Sequence, residues 1–521
     1  MNVVSGHKPG FAWLVVAPFA LVHVLLHLFT NGNYGVFRDE FYYWDCANHL
    51  AWGYVDQPPL SIALLAGWKT LFGDSVHSLR VLPAMAGAVL VLLSARLSAE
   101  MGGDRFAQAV AAMSTVSVPF YLVATGFYSM NAFELVFWAM GYWVVLRILE
   151  MGASPVDDRK TKNLWIGMGV IVGLGMMNKI SMVGFALGFL VALLLTSHRR
   201  HLKLPYPYIA GLIAALIFLP HIIWQIQNGW PTVEFAQNAK RYKIADLSAG
   251  AYLTAQLLEM GPANVLVWAV GLPYLLFTKQ GRCYRPFGWM FIAVVVFFVM
   301  QRSKPYYLMT AYTVLLAAGA VAIARFIASR HLRWLRPLVF VHLGVGLLVA
   351  LPLALPVLPP EALVVYQQAI GIAPAAEERG HQGSELPQHF GDRFGWDDLT
   401  KTVASVYDNL SQEEQAHCII VGRNYGVAGA INYYGRRYGL PRAVSTHNNY
   451  YLWGPGITVP NVFIVLARPE DGFENAFEDM TPVATIDAKF AMPEERGLVV
   501  YICRNLKTSL EEAWRAGRIF I

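Results

Sequence analysis

Residues 11–29 read FAWLVVAPFALVHVLLHLF, nineteen residues without an acidic, lysine or arginine side chain. At a rise of about 1.5 Å per residue, such a helix matches the roughly 30 Å hydrocarbon core of a bilayer. The first two acidic residues of the chain, Asp39 and Glu40, follow shortly after it. They are thereby placed at a membrane face, inside the polar and aromatic stretch Arg38-Asp39-Glu40-Phe41-Tyr42-Tyr43-Trp44, with Asp56-Gln57-Pro58-Pro59 further on. Carboxylates in an aromatic collar at the lipid boundary suit the deprotonation of a substrate delivered partly from lipid.

The rest of the chain agrees with a membrane reading. It is 56% apolar and 14% charged, with a mean hydropathy of +0.42, too oily for an ordinary soluble globule of 521 residues. The long first apolar run lacks a small-residue cleavage site and is expected to stay as a span. Apolar runs predict eleven spans, near 11–30, 79–99, 106–123, 131–148, 164–177, 181–196, 205–224, 251–277, 287–300, 306–324 and 337–357. With a cytoplasmic amino terminus, the inside loops carry Arg159, Lys160 and Lys162; Arg199, Arg200 and Lys203; Lys279, Arg282 and Arg285; and Arg325, Arg330, Arg333 and Arg336. That pattern obeys the positive-inside rule and accounts for the net charge of +6, so nucleic acid is not invoked as a partner. An odd span count exports everything after Pro359, in a bacterium to the periplasm.

The expected architecture is a polytopic α-helical membrane domain, residues 1–357, followed by an extracytoplasmic α/β domain, residues 358–521. In the second, 397–410 and 426–438 read as helices, and 417–422, 461–467 and 498–503 as buried strands. The segment Ser61 to Phe72, with Lys69, reads as an amphipathic helix lying on the outer surface. Cys418 and Cys503 read as buried core thiols, a disulfide being the alternative. The run His447-Asn448-Asn449-Tyr450-Tyr451-Leu452-Trp453 reads either as a sugar-stacking segment or as a buried turn.

Cations on the outer side run against the positive-inside rule, and Lys179, Lys240, Arg241, Lys243, Arg302 and Lys304 all fall there. Lys240 and Lys243 are read as snorkelling to the interface. Lys179 and the Arg302/Lys304 pair, with Arg241 beside them in the cluster, are read as contacts for a lipid-borne phosphate or pyrophosphate. Glu134 lies one turn inside an apolar helix, where a carboxylate needs a partner. Histidines 23, 27, 49, 77 and 221 form no recognisable ligand set; the sequence identifies no cofactor with certainty, and a divalent metal is left open around Asp45, His49 and His77.

The order of motifs 37–43, 53–60, Asn178-Lys179-Ile180-Ser181, 220–225, 228–232 and Lys304-Pro305-Tyr306-Tyr307 resembles bacterial glycosyltransferase family 39, related to protein O-mannosyltransferases and to the aminoarabinose transferase that modifies lipid A. The likeness covers roughly residues 11–325. It implies the GT-C membrane fold, a polyprenyl-phosphate sugar donor, and an acidic residue on the first outer loop that activates the acceptor. By the resemblance, Asp39 is the catalytic base and Glu40 assists it. Lys179, Arg302, Lys304 and Arg241 hold the donor phosphate, and Arg38, Tyr43, Asp56, Gln57, Glu134 and Tyr307 bind substrate. Relatives often carry an acidic residue where this chain has Asn131, which leaves the part played by that loop open.

The expected activity is an inverting sugar transfer from a polyprenyl-phosphate carrier to a hydroxyl of an envelope lipid, protein or glycan, performed at the periplasmic face of the inner membrane. The alternative from another class is a flippase or transporter for the lipid-linked sugar. A membrane-anchored sensor would account for the exported domain but leave the Asp39 segment unused.

Overall fold

The computed structural model describes residues 9–151, 158–244, 247–374, 378, 383–456 and 460–521. The chain forms two compact units: one gathers residues 1–31, 77–223 and 246–357, the other 32–76, 224–245 and 358–521. The segments between helices around Asp39 and around residues 224–245 therefore belong with the C-terminal chain.

The first unit is a helical bundle. Among the described residues, seven helices are long and apolar enough to cross a membrane, and nine if each of two sharply bent pairs is one span. By that measure the expected eleven are not all reached, for local reasons. The run near 106–123 is divided into Arg105–Val116 and the short helix Pro119–Ala124, since Pro119 cannot continue the hydrogen-bond ladder of the turn before it. The run near 251–277 bends by 95° at Gly261, whose φ is +78° and whose Cβ position lies 2.9 Å from the Pro119 ring. Any other residue there meets both backbone strain and a clash.

Polar-free helices have no hydrophobic drive to associate within lipid, so close approach must supply the attraction. Between the helices Val265–Phe277 and Tyr312–Ser329, a Cβ on Gly319 would lie 1.9 Å from the Val267 carbonyl oxygen. The backbones touch there. Trp138 packs edge to face on Phe185, with Tyr142 tilted against both, in the buried core, whereas Leu212, Leu216, Val345 and Leu348 point outward from the unit, as lipid-facing side chains do.

In the second unit five strands, β1 (Cys418–Gly422), β2 (Ala443–Val444), β3 (Val462–Ala467), β4 (Phe477–Ile486) and β5 (Leu498–Leu506), form one sheet in the order β2-β1-β3-β5-β4. β1 pairs in parallel with β2 and β3, while β5 runs antiparallel to β3 and β4. All six β3 residues are buried, which explains why this central strand is legible as an unbroken apolar run. β4 is an edge strand with mostly exposed side chains and a bulge between Pro482 and Ala484; proline is tolerated there because one side of the ladder is open. Cys418 and Cys503 are free and buried, and burial pushes both thiols up to about 12, so they are unreactive at neutral pH.

The expected surface helix is Leu60–Phe72. Leu64, Leu71 and Phe72 are exposed on it, and Lys69 reaches back to donate to Asn48 Oδ1 at 2.8 Å, its ammonium 4.3 Å from the Trp44 ring centroid.

Candidate active site

The acidic stretch is itself helical, Arg38–Asn48. Glu40 turns back so that its Oε2 accepts the Phe37 N–H at 2.9 Å, satisfying one of the donors that a helix start leaves unpaired. That places Glu40 in the protein interior as a cap. Tyr43 is buried as well.

Arg38 lies buried among carboxylates. Glu494 accepts a hydrogen bond from it, with Asp392 at 3.7 Å, Glu495 at 3.9 Å and Asp39 at 4.0 Å. Burial works against its charge, but Asp392, Tyr425, Glu494 and Asp39 more than offset this and hold the guanidinium protonated far above its ordinary range. The Arg38 charge is thus met inside the unit.

Asp39 differs from its neighbours. Its side chain is 38% exposed, against 6% for Arg38. One oxygen, Oδ1, accepts a hydrogen bond from the Tyr425 hydroxyl at 2.7 Å. Among the described residues the other oxygen accepts no hydrogen bond, so this partly exposed carboxylate keeps one oxygen for an incoming hydroxyl group.

Next to it, Tyr42 donates to Asp56 Oδ1 at 2.9 Å and also lies 3.0 Å from Asn449 Oδ1, which accepts the Val55 N–H at 2.7 Å. The Tyr42 and Tyr425 rings lie 4.9 Å apart. Burial pushes the Asp56 carboxyl up to about 6; the Tyr42 hydrogen bond opposes the shift and the negative charge of Asp39 adds to it. Gln57 is fully buried, and neither of its amide atoms has a partner within the protein. A buried amide without partners is costly, and it marks a position suited to meeting a polar ligand.

The run 447–453 is a turn leading into the short helix Asn449–Trp453, with His447, Asn448, Asn449 and Tyr450 buried. Asn448, with φ +49°, bonds both the Ile521 N–H at 3.0 Å and its carbonyl at 3.1 Å, and Tyr450 donates to Asp45. Asp45, fully buried, also accepts from Asn432 at 2.7 Å and Arg442 at 3.2 Å. His49 lies 3.1 Å from Arg442 and stacks on Trp453 at 4.3 Å. Among the described residues no group of three or more His, Cys, Asp or Glu side chains is arranged to hold a metal ion.

Arg241, on the short turn Ala239–Lys243, is exposed with its guanidinium 5.1 Å from the Tyr242 ring. Lys243 lies 3.7 Å from Glu378.

In the first unit, sequence-expected residues converge on Lys179, which follows the helix Asp158–Asn178. Its ammonium is buried and donates to Asn131 Oδ1 and to Glu134 Oε2, both at 2.8 Å. It also lies 4.3 Å from the Tyr307 ring centroid and 5.2 Å from that of Tyr306. Ser181 donates to the other Glu134 oxygen. The partner that Glu134 needs is Lys179, and Asn131 serves the same cation. Arg302 is exposed at a left-handed φ of +52°, and the half-buried Lys304 sits 6.0 Å from the Tyr306 ring centroid.

Tyr42, Tyr425, Asn449, Ser181, Glu494 and Asp392 were not singled out from sequence as site residues. Tyr42, Ser181 and Asn449 do lie inside stretches with a signal of their own, 38–44, 178–181 and 447–453, whereas Glu494 and Asp392 are brought in by the fold.

A model of the family described as dolichyl-phosphate-mannose-protein mannosyltransferase matches residues 56–224. The fold is shared with ArnT from Cupriavidus metallidurans solved with undecaprenyl phosphate, at a TM-score of 0.61 and 15% identity over 94% of this chain and 98% of that one. The chain has the fold of ArnT, and about a third of it matches that family model.

This chain also resembles the oligosaccharyltransferase of Archaeoglobus fulgidus, at a TM-score of 0.50 and 14% identity, over 82% of this chain and 63% of the other. By sequence this chain is 23% identical to the lipid A galacturonosyltransferase RgtD of Rhizobium johnstonii over 50% of its own length. It is 25% identical to undecaprenyl phosphate-alpha-4-amino-4-deoxy-L-arabinose arabinosyl transferase 2 of Pseudomonas fluorescens over 59%. The match spans about half the length of these curated relatives, 54% of each. The family match includes Asp56, Gln57, Glu134 and Lys179, while Asp39, Arg302 and Lys304 lie outside it.

Proposed function

We propose that this protein is an inverting membrane glycosyltransferase that moves a sugar from a polyprenyl-phosphate carrier to a hydroxyl group of an envelope lipid, protein or glycan, on the periplasmic side of a bacterial inner membrane. Asp39 takes the acceptor's proton as its oxygen attacks the anomeric carbon, and polyprenyl phosphate leaves with the bonding electrons. Lys179, Arg302, Lys304 and Arg241 meet the phosphate charge, which makes it a better leaving group. Asp56, Gln57, Glu134 and Tyr307 line the substrates. The observation that carries the reading is the state of Asp39: a partly exposed carboxylate, hydrogen-bonded by Tyr425 at one oxygen, beside an arginine and a glutamate that are both buried. Relatives acting on lipid A or on undecaprenyl-phosphate sugars support the donor and acceptor classes.

The test is mass spectrometry of envelope glycolipids and glycoproteins with and without the gene, followed by purified protein with synthetic polyprenyl-phosphate sugars. A new glycosidic product supports transfer; translocated but unreacted donor supports the transporter reading instead.

Gln57 gives a sharper check. Replacing an unbonded buried amide by an apolar group of similar size costs little stability. Gln57→Leu is expected to keep the unfolding midpoint or raise it, and to raise KM for one substrate about tenfold, a loss equivalent to one hydrogen bond. An unchanged KM for both substrates would remove Gln57 from the binding surface.

Asp56 supplies a pH dependence. Its folded value of about 6 lies above the ordinary 3.8, so the folded state takes up the proton first. This contribution favours the fold at low pH and is lost as pH rises through about 6. Asp56→Asn is therefore expected to gain stability relative to wild type as pH rises from 3.8 to about 6, read as a difference in unfolding midpoint that widens over this range and then levels off. A constant difference across that range would show that Asp56 does not titrate there.

A further inference from the structure

We propose that Tyr425, from the C-terminal chain, is the positioning residue for the base: its hydroxyl fixes Asp39 so that the free carboxylate oxygen faces the acceptor. The inference rests on the reading of Asp39 as that base. Tyr425 Oη is 2.7 Å from Asp39 Oδ1, and a carboxylate held at one oxygen by a fixed donor loses its freedom to rotate. The acceptor's proton then goes to Oδ2. The new bond forms between the acceptor oxygen and the anomeric carbon, the bond from that carbon to the carrier's phosphate oxygen breaks, and the phosphate leaves with the electron pair. Tyr425 gives up no proton.

The surroundings are built to hold this phenol still. Tyr425 opens the helix Tyr425–Tyr434, whose start is capped by Asn424 accepting the Val427 N–H at 3.0 Å. Asn424 is itself fixed by donating to Glu495 Oε1 at 2.9 Å. The ring packs against His447, 5.1 Å away at 24°, and against Tyr42, 4.9 Å away at 37°. The Arg38 guanidinium lies 5.5 Å from its centroid. Gly426 makes room for this, since a Cβ there would come within 2.5 Å of the Arg38 side chain. Burial is the main cause that raises the phenol far above 10, with Arg38 opposing and Asp39 adding to the shift, so the hydroxyl remains a donor throughout the working range. A purely structural tyrosine would be served as well by phenylalanine, because its ring contacts need no hydroxyl.

Tyr425→Phe keeps those ring contacts and deletes only the donor. In single-turnover assays with a polyprenyl-phosphate sugar, the variant is expected to lose about ten- to a hundredfold in the chemical step, the range for one hydrogen bond to a charged group. KM for donor and acceptor should stay within about twofold, and the unfolding midpoint should be unchanged. In an Asp39→Asn background, adding Tyr425→Phe should change the residual rate by less than about twofold, because the two residues act as one unit. A wild-type rate in Tyr425→Phe, an effect confined to KM, or an equal loss in the Asp39→Asn background would each overturn the inference. If Tyr425→Phe unfolds earlier, the same comparison is made at a temperature where it is fully folded. Should Asp39→Asn keep near-wild-type rate, the base assignment fails; if Asp39→Asn is inactive and Tyr425→Phe is not, only the role of Tyr425 fails.

Discussion

Asp39→Asn is expected to lower the rate of sugar transfer by about 10²- to 10⁴-fold, the span usually lost with a general base, while the protein folds as before. The amide is nearly the size of the carboxylate and still offers Oδ1 to the Tyr425 hydroxyl, so the local hydrogen bond survives. Arg38 loses one anionic neighbour at 4.0 Å but keeps Glu494, Asp392 and Glu495. The lost ion pair involves a partly exposed carboxylate and is worth no more than about 1 kcal/mol. What disappears is the capacity of the open oxygen to accept a proton. The measurement is product formation from purified protein and a defined lipid-linked donor, with unfolding midpoints as the control for folding. Near-wild-type turnover would remove Asp39 from the chemistry.

Much of the helical unit was legible because lipid imposes a simple demand: an uncharged run of about twenty residues must form a helix. The boundaries that failed were those where sequence composition stays apolar while the backbone turns. Gly261-Pro262 breaks an otherwise continuous hydropathy signal, and hydropathy alone does not register a bend. In the sheet, β3 and β5 were legible from burial, whereas β4 was missed because its exposed edge has no apolar alternation.

The site divides along a similar line. Residue type and position near a span end were enough to single out Asp39, Glu134 and Lys179, since charges beside apolar helices are rare and costly. Their partners were not legible, because Tyr425 is 386 positions from Asp39 and a lone sequence carries no record of which distant side chains meet. Likewise, the neighbouring acids at 39 and 40 look alike in sequence. Only the fold separates them, one capping a helix and the other open to solvent.

Glu134→Ala is expected to destabilise the helical unit by about 3–5 kcal/mol, because it leaves the Lys179 ammonium buried without its counter-charge. Asn131 and the Tyr307 face remain, yet a neutral amide and a ring quadrupole only partly replace a carboxylate at 2.8 Å. Reduced stability alone would not tell whether Lys179 also meets the donor phosphate, since a lysine already satisfied by Glu134 has a structural role sufficient to explain its burial. Removing both partners separates the two. A Glu134→Met/Lys179→Met protein exchanges the buried pair for apolar side chains of similar length, a change that is often neutral or stabilising. It is expected to unfold at or above the wild-type midpoint. If Lys179 holds the phosphate, this stable double variant will still require at least about tenfold more donor for half-maximal rate, the cost of one charge-assisted hydrogen bond. If donor use is unchanged in the folded double variant, the phosphate must be met by Arg302, Lys304 or Arg241, and the ion pair's work is to hold the ends of its helices and the Tyr306-Tyr307 turn in place.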